Sequence, residues 1–429
     1  MNSTSEAPSR WKKPIIGAGI ATVVVVCGFA AGLSQTDLSE AASKFDKNKA
    51  DAEKEGLFFT REQVEARYAI PESDNGAKLV QSVLPLARNL KIDRQRPFSE
   101  KIVVEHWAEI ESAISKIEEA SRRKSLMFKR DFRNPAATLF PEYSGVKDWV
   151  SFLVQLAHRA VEKGDVQSAE KYFELSGYLA NAMDQEGLLI GLLVRIASLA
   201  IIDREIQLTI LDHGKNPEVV KMLDQVLTKI DKPYDLKLPL RVEHWFGISM
   251  IEPLLNDPKS YSMMGSGSGV PREIQYGKYL PRFKVANMSR IHRFYADAAH
   301  MMPTNCDDLV AVQTAFENMD KAAFRQGLSY TILDIVGPVF GATGKAVARE
   351  IAQRNTLKQA VEILKTGADP ATGLPLKGRF AMDVDGKPIR IKKMSSGWIV
   401  YSIWIDKVDD GGVEAKGAMK GDYVVHLPK

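Results

Sequence analysis

Cysteine is almost missing from this chain of 429 residues, which has two. Cys27 lies inside an apolar run, so Cys306 is the one thiol of the remaining chain. No disulfide can staple that part, and its stability must come from packing. Cys306 itself reads as a small buried residue. A surplus of charge is missing as well: the formal net charge is +4, which leaves no electrostatic footprint for a nucleic acid partner. Familiar catalytic signatures are also missing. There is no Gly-x-Ser-x-Gly elbow and no His-Glu-x-x-His pair. Gly341-Ala342-Thr343-Gly344-Lys345 starts like a phosphate loop. However, Val339 stands where its first glycine is needed and Ala346 where the magnesium-holding hydroxyl belongs. The segment is read as a helix start with a loose turn.

What is present begins with the stretch Pro14 to Leu33, which is uncharged throughout. About 20 apolar residues match the ~30 Å of hydrocarbon that a helix must cross. Arg10, Lys12 and Lys13 precede the run, while Asp37 and Glu40 follow it. The positive-inside rule then keeps the short N-terminus in the cytoplasm and sends the bulk of the chain across the cytoplasmic (inner) membrane. A cleaved signal peptide and lipidation at Cys27 remain alternatives to a retained single-pass anchor. Gly28 and Gly32 have the spacing that lets two such helices approach, a route to self-association.

The remaining chain divides by pattern. A cytoplasmic tail (1–13) and the transmembrane helix (14–33) lead to a charged juxtamembrane stalk (34–55), a helical external domain (56–366) and a small β module (367–429). Val150, Leu153, Leu156, Ala157, Ala160 and Val161 recur at helical spacing, and Lys163-Gly164-Asp165 then stops one helix and caps the next. The two helices form a hairpin like one unit of a tetratricopeptide array, without further convincing copies. Leu188 to Ile202 is strongly apolar but contains Arg195, so it reads as the buried central helix of a bundle and not a second span. Asn216-Pro217-Glu218 caps the following helix. Met264 to Gly269 reads as a flexible loop tip, and helical pattern returns at 285–302, 307–326 and 345–364. Past Gly367 the period changes. Strands are expected at Pro388–Lys393, Trp398–Ile405 and Asp422–Leu427, with an Asp385-Gly386 turn before them. In the middle strand Trp398, Val400 and Trp404 share one face, and Ile399, Tyr401, Ile403 and Ile405 the other. The fold expected is mainly α: a transmembrane helix, a multi-helix bundle with a tetratricopeptide-like hairpin, and a small antiparallel sheet packed on helix 345–364.

Three patches together resemble uncharacterised single-pass envelope proteins of planctomycete-like bacteria. They are residues 55–80 (EGLFFTREQVEARYAIPESDNGAKLV), the hairpin with its apolar helix, and the terminal VDGKPIRIKKMSSGWIVYSIWIDKVDDGG. The likeness implies architecture and address, and no chemistry. The terminal module also resembles the C-terminal domain of type II secretion pseudopilins, in which a Tyr-Ser strand leads to an Asp/Gly loop that binds calcium. The matching positions are Tyr401, Ser402, Asp406, Asp409, Asp410, Gly411, Gly412 and Asp422. Trp404 and Lys407 depart from it, standing where small residues or glycine are usual. The N-terminus lacks the pilin pattern, since no Glu follows a processing Gly inside the apolar run.

Calcium is therefore the ligand with a case in the sequence, at Asp406, Asp409, Asp410 and Asp422 with Glu414 nearby. The competing reading of that segment is an acidic turn whose Gly411-Gly412 permits unusual backbone angles. No other cofactor is expected. Val-Glu-His-Trp occurs twice, at Val104–Trp107 and Val242–Trp245. His106 and His244 are expected beside packed Trp107 and Trp245, with a shared metal as the alternative should the two copies meet. His292 and His300 share a helix at a spacing of two turns, too far for joint ligation. The basic cluster Arg122, Arg123, Lys124, Lys129, Arg130 and Arg133 reads as a solvated face or, alternatively, a contact for anionic headgroups or wall polymers.

The function expected is a non-catalytic, membrane-anchored binding or scaffold protein for an unknown envelope protein or polymer. Two alternatives stay open: an envelope hydrolase with carboxylate catalysis, and a component of a secretion or pseudopilus-like apparatus.

Overall fold

The computed structural model describes residues 39–90, 100–133, 138–256, 281–303, 306, 308–325, 332–367, 382–395, 397–404, 406–415 and 421–428. The expected tail 1–13, span 14–33 with Cys27, Gly28 and Gly32, and loop tip Met264–Gly269 lie outside them. Among the described residues no helix is long and apolar enough to cross a membrane.

The described chain is mainly helical, with one small antiparallel sheet. Residues 39–54 form α1. Then come α2 (Arg61–Tyr68), α3 (Ala77–Asn89), α4 (Glu100–Glu105), α5 (Trp107–Ser121), α6 (Glu142–Glu162), α7 (Val166–Ala182), α8 (Leu189–His213), α9 (Pro217–Ile230), α10 (Lys237–Asn256), α11 (Pro281–Met301), α12 (Leu309–Arg325) and α13 (Ile332–Thr366). Strands β1 (Arg390–Met394), β2 (Gly397–Ser402) and β3 (Tyr423–His426) close the chain in the order β1-β2-β3.

Local chemistry accounts for the hairpin. Gly164 takes φ +78°, a conformation that costs glycine little, and Asp165 caps α7 by accepting from the Ser168 amide at 3.0 Å. Asn216 caps α9 in the same way through Glu218, with Pro217 as its first residue. Helix α8 occupies the centre, in contact with α6, α7, α9, α10, α13 and β3. Its Arg195 is buried because Asp184 lies against it and its guanidinium stands 3.9 Å from the Tyr234 ring centre. One apolar core runs from Ala52 through the helices to Val400, Val425 and Leu427 of the sheet, so the β module shares the core of the bundle.

Four expectations change. The 34–55 stalk is helical over 39–54, but one side of it docks: Ala52 is buried and Asn48 donates to the Ser289 hydroxyl at 2.9 Å. Phe45 of the same helix packs its ring 5.2 Å from His292 of α11, which seats an otherwise charged helix. The middle strand stops at Ser402, because Trp404 has φ +49° and the two-residue alternation fails there. Ile403 consequently joins Leu309, Ala352 and Val384, while Ile399 and Tyr401 pack with Val424. The helix expected from 345 begins at Ile332. Gly341 to Gly344 therefore lies in a helix interior and not at a helix start.

That last difference has a packing cause. A Cβ built on Gly344 would stand 1.9 Å from Cγ of Phe316, so α12 and α13 cross where only glycine fits. Elsewhere in a helix Gly→Ala gains up to ~1 kcal/mol. Here Gly344→Ala is expected to cost about 1–3 kcal/mol through overpacking, read as a lower denaturation midpoint. A gain in stability would contradict the close crossing.

Candidate functional site

A groove of about 1010 Å³ is bounded by α5, α7 and α9 and by the segments that follow α5 and α9. The helices that bound it are the hairpin's second helix and its neighbours on either side. Tyr178 on α7 donates to the Ala120 carbonyl at 2.9 Å, and Asn181 donates to the Ile230 carbonyl at 2.8 Å. These bonds tie α7 to the ends of α5 and α9 and set the width of the groove. Deeper in, Asn181 Oδ1, Arg67 Nε and Arg195 Nε are buried without a hydrogen-bond partner.

Eight cationic side chains line the groove against four carboxylates. Several cations form ion pairs that leave them exposed: Arg122 to Glu118 at 2.6 Å, Lys171 to Glu118 at 2.5 Å, Lys124 to Asp74 at 2.8 Å and Lys229 to Glu170 at 3.2 Å. Exposed pairs of this kind are worth under about 1 kcal/mol, so an incoming anion can displace them cheaply. Arg67 is half-buried, and burial lowers its guanidinium from the ordinary range.

The basic cluster read from the sequence divides here. Arg122, Arg123 and Lys124 stand at the mouth of the groove, and Arg123 is fixed by the Glu72 and Ser73 carbonyls, both at 3.0 Å. Arg130 turns inward and is not part of a solvated face. Its side chain is 2% exposed, bonded to Glu186 at 2.9 Å and Glu142 at 2.7 Å, among the rings of Phe128, Phe140 and Tyr143. Burial pushes the Glu186 carboxyl up and Arg130 pulls it back. Leu126, Met127, Phe128 and Phe132 are buried. Their interruption of the basic run was the available sign that the segment folds against the body.

The expected calcium positions are placed as follows. Asp406 accepts from the amides of Val408 (3.1 Å) and Gly421 (3.3 Å). Asp409 accepts from Tyr401 (3.2 Å), the Gly411 amide (2.9 Å) and Arg390 (3.0 Å). Asp410 is exposed, whereas Asp422 is buried, with Oδ2 taking the Gly412 amide at 2.7 Å and Oδ1 without a partner. Arg390 also clamps Asp383 and Asp385, both at 2.7 Å, and so braces this loop to the turn before β1. Among the described residues no group of three or more His, Cys, Asp or Glu side chains stands close enough to hold a metal ion.

The two Val-Glu-His-Trp copies do not meet. His106 faces Glu109 at 3.6 Å, and Trp107 is 37% exposed where packing was expected. His244 instead meets His292, Nε2 to Nδ1 at 2.8 Å, while its Nδ1 faces the Phe58 carbonyl at 2.7 Å. Burial lowers the two imidazoles to about 4 and about 3. A separation of 48 positions leaves no sequence signal for this pair. His300 is exposed, 3.2 Å from Glu55. Cys306 is buried, as read.

No family model, no curated protein and no solved structure matches this chain.

Proposed function

We propose that the chain is a membrane-anchored, extracytoplasmic helical binding protein whose groove between α5, α7 and α9 receives an acidic segment of an envelope partner. The observation that carries this reading is the groove itself, about 1010 Å³ with twice as many cations as carboxylates along it. A lining of that sign attracts and orients an acidic chain, and the attraction weakens with salt. The address comes from the apolar run Pro14–Leu33 with its basic N-terminal flank.

In-cell photocrosslinking tests it. A photoreactive residue at Ser121 or Lys171, in the groove, is expected to give a discrete adduct with an acidic partner. The same residue at Arg293, exposed on α11, is expected to give none. Adducts of equal yield from all three positions would contradict the assignment.

A second reading, a part of a secretion apparatus, draws on the terminal module. Trp404 and Lys407, the two departures from the pseudopilin pattern, have φ +49° and +58°. A left-handed backbone is what a small residue or glycine accommodates. Calcium binding on this reading requires Arg390 to leave Asp409. Millimolar calcium would then raise the melting temperature of the wild type and leave Asp409→Asn unchanged. No shift in the wild type would remove this reading.

A further inference from the structure

A second recess, about 600 Å³, opens where the sheet meets α8 and α13, on a different part of the molecule from the groove. Its polar lining is unusual in leaving both kinds of hydrogen-bonding group without partners. The Trp404 indole N–H, a donor, is buried and unpaired on a residue that is 3% exposed. Asp422 Oδ1, an acceptor, is buried and unpaired on a residue with no exposure. The Tyr423 hydroxyl, which can act either way, is likewise buried without a partner. The Arg349 guanidinium carbon stands 4.2 Å from the centre of the Trp404 ring, and no ion pair joins it to a carboxylate among the described residues. Leu208 and Leu211 of α8 add apolar surface, 38% and 46% exposed.

The charges of the lining oppose one another. Arg204 and Arg349 face Asp203, Glu414 and Asp422, and Asp203 is already held by Arg354 at 3.3 Å. An oxyanion would satisfy the indole and guanidinium donors but meet the Asp422 acceptor unfavourably. An ammonium group would do the reverse. A hydroxyl donates and accepts at once, so a neutral ligand bearing several hydroxyls suits a lining that mixes donors with acceptors. The apolar C–H face of a sugar ring suits the leucines.

We infer that this cleft is a binding site for a neutral saccharide unit. Arg349 and Trp404 form one wall, Tyr423 and Asp422 contribute hydroxyl-binding atoms, and Leu208 and Leu211 contribute the apolar surface. The site stands independently of the groove and of its acidic partner.

Glycan-array binding by the detergent-solubilised full chain, followed by calorimetry on the strongest neutral oligosaccharide, tests the assignment. Tyr423→Phe removes only a hydroxyl that has no protein partner. It is expected to leave the melting temperature without sugar unchanged or raised, and to weaken sugar binding about tenfold. Arg349→Met is expected to weaken the same sugar, and raised sodium chloride is expected to have little effect, unlike at a charged site. Three results would each overturn the proposal. One is an array with no signal. Another is signal confined to sulfated, phosphorylated or sialylated glycans. The last is a Tyr423→Phe protein that melts lower without sugar and binds sugar normally, which would give the hydroxyl a purely structural role.

Discussion

Arg354→Met is expected to lower the stability of the folded chain by about 3–5 kcal/mol, the cost of breaking a buried ion pair by removing one partner. Arg354 is 3% exposed and lies between two buried carboxylates, Asp203 of α8 at 3.3 Å and Glu350 one turn earlier in α13. Tyr234, between α9 and α10, donates to Glu350 at 2.6 Å, so the cluster joins three parts of the bundle. Asp203 is raised to about 7, with burial the largest cause and the Glu350 charge adding to it against the opposing pull of Arg354. Without the guanidinium the two carboxylates repel each other in a dry interior, and protonation becomes the cheapest relief. The sign of the pH dependence follows. A folded-state carboxyl raised above its unfolded value binds more protons than the unfolded chain, so the variant regains stability as pH falls. Urea titrations at pH 7.5 and 5.5 check both parts. The deficit is expected to be larger at pH 7.5, and adding Asp203→Asn is expected to recover part of it. A deficit under about 1 kcal/mol would mean that solvent already reaches the pair.

The second large effect concerns His244 and His292. The Phe58 carbonyl accepts only, so His244 carries its proton on Nδ1, and its Nε2 must accept from His292 Nδ1–H. A further proton on His244 would set two N–H groups against each other at 2.8 Å. Both imidazoles are buried, with values lowered to about 4 and about 3. The unfolded chain therefore takes up protons first, and this pair's contribution is complete above about pH 6.5 and is lost as pH falls towards 4. Each imidazole accounts for roughly 3 kcal/mol over that range. Glu243, raised to about 7 by burial, works in the opposite direction in the same window. The wild-type curve alone is thus flattened. The informative quantity is the difference between wild type and His244→Gln/His292→Leu, which is expected to narrow by several kcal/mol between pH 7 and pH 4. A constant difference would show that the pair does not titrate on unfolding. The ring of Phe45 on α1 lies 5.2 Å from His292, so α1 is the element expected to loosen first in acid.

Much of the fold was legible because its signals are local. Asp165 and Asn216 cap the helices they were expected to cap, and Gly164 turns the hairpin. Arg195 marked α8 as a buried helix and not a second span, since inserting a guanidinium into hydrocarbon is costly, and in the bundle Asp184 lies against it. The sheet followed from a change of period, and its antiparallel pairing places Val400 opposite Ile391 and Val425. The failures involve distant partners. Gly344 read as part of a loose turn at a helix start because nothing in the sequence announces that Phe316 fills the space beside it. The groove brings α2, α5, α7 and α9 together, and no spacing rule connects Arg67 with Lys229. Arg130 illustrates the same limit. A basic run looks solvated until Glu186, more than 50 residues on, is placed against one member of it.

The measurement that bears most directly on the central claim is the anisotropy of a labelled deca-glutamate peptide titrated with the solubilised full chain. Saturable binding is expected at low salt, about tenfold weaker at 0.5 M sodium chloride, where screening shortens to a few ångströms. The variant Lys229→Glu/Lys232→Glu, altered along the groove and nowhere else, is expected to lose at least about tenfold in affinity while unfolding at the same urea concentration. Absence of saturable binding at low salt, or binding that this double charge reversal leaves intact, would contradict a groove built for an acidic segment.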